Sequence, residues 1–123
     1  MIDYLKQAIE NIEFEDKQTD VEEFYGIYRI PTQKGCVEFV KLYKETVYKP
    51  HIHDHADASF IFLTGSGFVT LNEDKIPYKV GDKVEALAGV LHGFLQVEET
   101  IFLSIQSNPI QDRSTGEIDI RYE

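Results

Sequence analysis

The chain has 123 residues, a formal net charge of -10 at pH 7 and a single cysteine, Cys36. This length favours one domain, residues 1–123; the acidic surface disfavours nucleic acids and anionic membranes as partners, and a lone cysteine excludes an internal disulfide. Since the sequence shows neither a signal-peptide pattern nor an apolar run of the roughly 20 residues that span a bilayer, we expect a cytoplasmic protein.

The first residues have the periodicity of a short amphipathic helix. Apolar side chains recur at steps of three and four, at Ile2, Leu5, Ile9 and Ile12, which places them on one helical face. We expect this face to pack on a sheet or on a partner chain. The helix belongs to an N-terminal arm, residues 1–23, in which the polar segment 16–20 is predicted to be a loop.

From residue 24 onward the sequence is typical of an all-β barrel core, residues 24–123. Short runs rich in β-branched and aromatic residues alternate with turn residues. They are F-Y-G-I-Y-R-I, C-V-E-F-V-K-L-Y-K, T-V-Y-K, S-F-I-F-L, F-V-T-L-N, I-P-Y-K-V, K-V-E-A-L, F-L-Q-V, T-I-F-L-S-I-Q-S and E-I-D-I-R-Y. So many short strands in a small domain predict a sandwich or a barrel that closes its own edges.

The last of these runs, residues 117–122, alternates apolar and charged side chains. This is the pattern of a half-buried strand. We expect it to pair with an N-terminal strand of the same chain or, in a homodimer, of the partner. Either pairing would cover an edge that otherwise invites aggregation.

Three of the four histidines lie within five residues. His51, His53 and His55 alternate, so an extended backbone would point their imidazoles to one side. Imidazole is the commonest metal ligand in proteins. The fourth histidine, His92, would complete a metal site if the fold places it opposite the others. The alternative is a set of ordinary polar residues at a strand end, but their concentration favours the metal site.

Two motifs around these histidines resemble those of small single-domain cupins. The first, residues 51–65, has the His-x-His pair and the final glycine, with Ala58 at the position of the family's carboxylate. The second, residues 81–96, has the family's glycines and its histidine at the expected spacing, with Leu87 in place of proline and Gln96 in place of asparagine. The resemblance implies a cupin-type double-stranded β-helix, a jelly-roll barrel, with a short N-terminal helix.

The resemblance also implies a divalent transition metal bound by His51, His53 and His92. Since Ala58 cannot ligate, three neutral imidazoles would hold Fe, Zn, Ni, Cu or Co and leave positions open for water or substrate. His55 could be a fourth ligand, or it could contact substrate as an acid/base group. Asp57 could replace the missing carboxylate or hold the second nitrogen of a histidine.

A substrate pocket is expected inside the barrel. Its candidate residues are Tyr48, Phe60, Phe62, Phe94, Gln96 and Phe102, although aromatic side chains in strands also serve as plain core. No catalytic carboxylate inside the barrel is evident from the sequence.

Two functions are compatible with these features. The first is an enzyme acting on a small molecule, either a dioxygenase or an isomerase or lyase that uses the metal as a Lewis acid. The second is a non-catalytic module that senses a ligand or a metal. One fold hosts many activities, so the resemblance does not choose between them.

Overall fold

The computed structural model describes residues 2–19, 21, 23–111, 115 and 117–122. In chain order its elements are α1 (Ile2–Ile9), β1 (Glu15–Gln18), β2 (Phe24–Pro31), β3 (Cys36–Leu42), β4 (His51–Ile52), β5 (Ala58–Thr64), β6 (Gly67–Leu71), β7 (Asp74–Tyr78), β8 (Lys83–Ala86), β9 (His92–Gln96), β10 (Thr100–Gln106) and β11 (Arg121–Tyr122).

The strands form two antiparallel sheets, as the all-β prediction required. The larger sheet has the order β1-β2-β3-β10-β5-β8, and the smaller has the order β11-β4-β9-β6-β7. Because strands close in sequence lie in different sheets, the chain crosses repeatedly between the two layers. The inner faces of the layers therefore enclose one shared interior.

Helix α1 covers the outer face of the larger sheet, in agreement with its predicted packing. Its apolar stripe continues through Ile12 and packs on side chains from three neighbouring strands: Phe39, Ile61, Leu63, Ile101 and Leu103. These residues alternate with the inward-facing ones along each strand, as the two-residue period of a strand requires. Both faces of the larger sheet are thus buried over much of its length.

An aromatic cluster fills the interior between the two sheets. The rings of Phe94 and Phe102 stack with centroids 4.6 Å apart, and those of Phe62 and Tyr78 stack at 3.8 Å. Phe60 packs edge-on against both Phe94 and Phe102. This cluster closes the interior on one side of the histidines, since Phe60 also contacts the ring of His92.

Two predicted local structures are wrong. The segment predicted to be a loop after Asp16 is largely strand, because β1 pairs with β2 through Lys17 and Tyr25; an edge strand needs only backbone partners and so can be polar. Its last residue, Asp20, lies outside the described residues. The run T-V-Y-K is not a strand, since the amide of Thr46 turns back to the carbonyl of Tyr43 at 3.0 Å.

The C-terminal run also differs from its prediction. Of residues 117–122 only Arg121 and Tyr122 are in a strand, and they pair with Ile52 and His51 of β4 in the same chain. The expected pairing with an N-terminal strand of the chain is therefore wrong. Within the described ranges, no helix has the length and apolar character needed to cross a membrane.

Candidate metal centre and cavity

His51, His53 and His92 converge inside the barrel. His51 begins β4 and His92 begins β9, and the two residues are register partners across the smaller sheet. The three ring centroids lie 4.7 to 4.9 Å apart, and one nitrogen from each ring lies within 4.8 Å of the others. All three side chains are buried. The antiparallel register thus brings together two half-sites that are far apart in sequence.

The hydrogen bonds around the rings leave nitrogen atoms available for a ligand. His53 Nδ1 lies 2.5 Å from the carbonyl oxygen of Asp119, which can only accept, so His53 donates from Nδ1 and keeps the lone pair on Nε2. His92 Nδ1 lies 3.4 Å from the carbonyl of Val90. His51 Nε2 bonds the hydroxyl of Tyr48 at 3.0 Å.

Burial keeps the imidazoles of His51 and His92 neutral. Desolvation, together with the neighbouring His92 and His53, lowers the pKa of His51 to about 2. Desolvation and His53 lower the pKa of His92 to about 4. A metal ion binds the neutral form of imidazole. Three buried imidazoles with one nitrogen each within 4.8 Å of the others therefore fit a divalent transition metal.

His55 and Asp57 lie apart from this group. The side chain of His55 is exposed, and its amide donates to the Asp119 carboxylate at 2.9 Å. The chain bends at Asp54 and His55, just after His53, so the alternation that would align His55 with its neighbours is lost. Asp57 is also exposed and accepts the amide of Ala88 at 2.7 Å. Neither side chain joins the histidines, so the structure does not support the alternative of a ligand role for either, and Asp57 supports a backbone turn.

A cavity of about 130 Å³ adjoins the three histidines. Of the expected pocket residues, Tyr48, Phe60 and Phe102 line it. The other three do not, which corrects the expected set: Phe62 and Phe94 belong to the packed core, and Gln96 donates to the carbonyls of the Tyr43–Thr46 turn at 2.9 and 2.6 Å. Ala58 lines the cavity where the resemblance would place a carboxylate.

Four polar side chains in the cavity wall were not predicted. They are Arg29, Glu38, Ser104 and Gln106. The last three are at most 7% exposed, and Glu38 and Ser104 are register partners on β3 and β10. The sequence did carry a signal, because Glu38 shares its strand face with the buried apolar residues Val40 and Leu42. An acid among inward-facing positions indicates a functional or paired group.

These side chains form one hydrogen-bonded cluster. Arg29 Nε donates to one Glu38 oxygen at 2.7 Å, and Gln106 Nε2 donates to the other at 2.5 Å. Gln106 Nε2 also lies 3.2 Å from the hydroxyl of Ser104. Among the described residues, the buried Gln106 Oε1 has no hydrogen-bond partner. A residue that lines the cavity thus carries an unused acceptor.

A second carboxylate, Glu23, lines the same cavity. It is 4% exposed and accepts a hydrogen bond from the amide of Lys49. Burial raises its pKa despite that bond. Burial also raises the pKa of Tyr48 well above its ordinary value, with a further contribution from the charge of Glu23. Tyr48 therefore stays protonated beside His51.

Comparison with known proteins identifies the fold of the chain. No protein-family model matches it, and no curated protein matches its sequence. Among solved structures, a protein of Acidithiobacillus ferrooxidans provisionally described as a sugar phosphate isomerase is 17% identical, with a TM-score of 0.74 over 94% of this chain and 88% of that one. The nucleoside dehydratase Pac13 of Streptomyces is 12% identical, with a TM-score of 0.70 over 90% and 85%.

The description of a third structural neighbour names its fold. It is a Klebsiella pneumoniae protein with a double-stranded β-helix domain, 16% identical to this chain, with a TM-score of 0.65 over 87% of this chain and 90% of that one. The fold expected from the two histidine motifs is confirmed. The two antiparallel sheets, the enclosed histidines and these structural neighbours together show that the chain has the cupin-type double-stranded β-helix fold.

Proposed function

We propose that the protein is a metal-dependent isomerase or lyase that acts on a small polar molecule in the barrel cavity. A divalent transition metal would be held by His51, His53 and His92. The observation that carries this proposal is that three buried histidines share one cavity with two buried carboxylates, Glu23 and Glu38. When bound, the metal would supply a Lewis acid for a substrate carbonyl oxygen.

The carboxylates favour proton-transfer chemistry over a dioxygenase reaction. Isomerisation and elimination next to a carbonyl both need a group that accepts a proton from carbon. Glu23 is the better candidate, because both oxygens of Glu38 already accept hydrogen bonds from Arg29 and Gln106. The raised pKa of Glu23 also makes it a stronger base than an ordinary carboxylate. A dioxygenase reaction has no evident use for either carboxylate.

The descriptions of two structural neighbours support this choice of reaction. One is provisionally described as a sugar phosphate isomerase and the other as a nucleoside dehydratase. Both names denote chemistry on small hydroxylated molecules. At identities of 17% and 12% these likenesses are to the fold, so the cavity residues of this chain carry the proposal.

Metal analysis tests the first part of the proposal. Protein purified without a histidine tag should contain a transition metal by inductively coupled plasma mass spectrometry, and His92→Ala should lose most of it. His55→Ala is the matched control, since His55 is exposed and lies apart from the group. Absence of any bound metal, or equal losses in the two variants, would contradict the metal site.

Proton exchange tests the reaction. Metal-loaded protein in D₂O should catalyse exchange of the hydrogen next to the carbonyl of a hydroxyketone, followed by proton NMR. Glu23→Gln should reduce exchange while keeping the metal content, because it removes the base and leaves the histidines in place. Ligand binding with no exchange and no turnover would instead indicate the non-catalytic binding module.

A further inference from the structure

The cavity has a second polar end, formed by Glu38, Ser104 and Gln106. We infer that these residues are a recognition subsite for a substrate hydroxyl, and that they select unphosphorylated hydroxyketones. The inference rests on the proposed function and extends it to the class of substrate. The observation that carries it is that Gln106 lines the cavity and that its buried Oε1 has no hydrogen-bond partner within the part of the chain that the structure describes.

The strand register explains why this acceptor is unpaired. Gln106 is the register partner of Ala58 on β5, and alanine has no side-chain group that could donate a hydrogen bond. The small side chain of Ala58 also leaves cavity space at that point. A buried acceptor without a partner costs free energy unless a water or ligand donates to it. Ala58, at the position of the family's carboxylate, therefore lies beside Gln106, whose Oε1 is the unpaired acceptor.

The hydrogen-bonding groups of this cluster favour a ligand group that donates a hydrogen bond. Gln106 Oε1 and the carboxylate of Glu38 can only accept, and the hydroxyl of Ser104 can do either. Because Gln106 Nε2 donates to Glu38 and lies close to Ser104, the amide is held with its oxygen free. A ligand hydroxyl that donates to this oxygen would satisfy it.

The charges in the cavity wall exclude other substituents at this end. Arg29 neutralises Glu38 through their 2.7 Å contact, so an ammonium group would gain little there. Glu23 adds a second negative charge to the cavity lining. A phosphate dianion has only acceptor oxygens, so it cannot donate to Gln106 Oε1, and the charge of Glu23 in the same lining opposes it. A neutral hydroxyl is the group that fits.

Calorimetry with matched ligands tests this inference. The probes are the free ketoses dihydroxyacetone, erythrulose and xylulose, with the analogue of xylulose that lacks the terminal hydroxyl and xylulose phosphorylated at that hydroxyl. All share the hydroxyketone end. Wild-type protein should bind xylulose about tenfold more tightly than the deoxy and phosphorylated analogues, since each loses or disrupts one buried hydrogen bond.

Substitutions test whether the difference in affinity between xylulose and its deoxy analogue comes from the subsite. Gln106→Met should weaken xylulose binding about tenfold and leave the deoxy analogue nearly unchanged, because only xylulose uses the amide oxygen. Ser104→Ala, a smaller change, should have the same pattern with a smaller effect if Gln106→Met folds poorly. Ser59→Ala is the control, since Ser59 lies on the neighbouring strand outside the cavity lining.

The outcomes separate this inference from the metal site. Binding is measured on the protein as purified and after metal loading, and the metal content of each sample is determined. If the histidine site fails, these samples contain no metal. Equal affinity for xylulose and its deoxy analogue, tighter binding of the phosphorylated ketose, or no binding of any ketose would overturn the subsite, whatever the metal content.

Discussion

The Nδ1 of His53 donates a hydrogen bond to the carbonyl oxygen of Asp119, with a distance of 2.5 Å between the two atoms. The side chain of Asp119 completes the contact, because its two oxygens accept the amides of Asp54 and His55 at 2.7 and 2.9 Å. One residue near β11 thus fixes both the ring orientation of His53 and the backbone that follows it.

Removal of the Asp119 carboxylate should weaken metal binding. We expect Asp119→Ala to reduce metal affinity by at most about 10-fold, the lower end for lost ligand support, because the carbonyl that orients His53 remains and only the carboxylate that holds the amides of Asp54 and His55 is lost. Asp119→Asn keeps one acceptor and should have a smaller effect. Competition with a chelator of known affinity measures the change.

The control for Asp119 is the nearby ion pair between Arg121 and Asp54, which is 3.0 Å long and half-exposed. Arg121→Ala should leave metal affinity almost unchanged, since exposed pairs contribute little. An affinity that drops more in Arg121→Ala than in Asp119→Ala would contradict the orienting role of Asp119.

The metal-free protein should lose stability as the pH falls below about 6.5, the ordinary histidine value. In the unfolded chain His51 and His92 take up protons near that pH, whereas burial lowers their folded pKa values to about 2 and about 4. The unfolded state therefore binds more protons, and the free energy of unfolding decreases from about pH 6.5 towards about pH 4.

Urea unfolding of metal-free protein across this range measures that slope. Carboxylates titrate at its lower end, so the comparison is with His92→Gln, which removes one buried histidine and should flatten the slope between about pH 6.5 and 5. Identical slopes in the two proteins would show that His92 is not held in its neutral form.

Two glycines of the cupin-like motifs should respond differently to alanine. Gly65 and Gly81 both have left-handed φ angles, 86° and 95°. A Cβ on Gly65 would lie 2.4 Å from Glu99 O and from Thr100 Oγ1, whereas one on Gly81 meets nothing within 4 Å. We expect Gly81→Ala to cost about 1–2 kcal/mol from conformation alone, and Gly65→Ala to cost clearly more. Similar denaturation midpoints for the two variants would contradict the predicted steric clash at Gly65.

The packing of α1 on the larger sheet should depend on Leu63. This side chain is fully buried among residues that contact the helix, so Leu63→Ala should cost about 2–5 kcal/mol of unfolding free energy. Leu95 is 49% exposed, and Leu95→Ala should change stability by no more than about 0.5 kcal/mol. Denaturant melts of both variants give the comparison, and equal losses would contradict the assignment of Leu63 to the core.

The convergence of the motif histidines could be predicted because their spacing encodes strand register. His51 and His92 each begin a short strand of the same sheet, and this relation follows from the family pattern. The position of His55 could not be predicted in the same way. Alternation applies only while the backbone stays extended, and the chain bends at Asp54 and His55.

The polar end of the cavity was missed for a different reason. Strand β3 is buried on both faces, because α1 covers Val37 and Phe39 while the barrel encloses Val40 and Leu42. A strand that is apolar on both sides does not reveal which face is the interior. Glu38 could therefore be assigned to the cavity only after the helix had been placed on the sheet.

The contact between His53 and Asp119 spans 66 positions of the sequence, and His51 meets His92 across the smaller sheet. Contacts so distant along the chain form only when the intervening strands have paired, and such topologies fold slowly. The three-histidine group is therefore a late product of folding. Metal uptake would then report that β4 and β9 of the smaller sheet have paired, and a bound ion would slow the separation of these two strands.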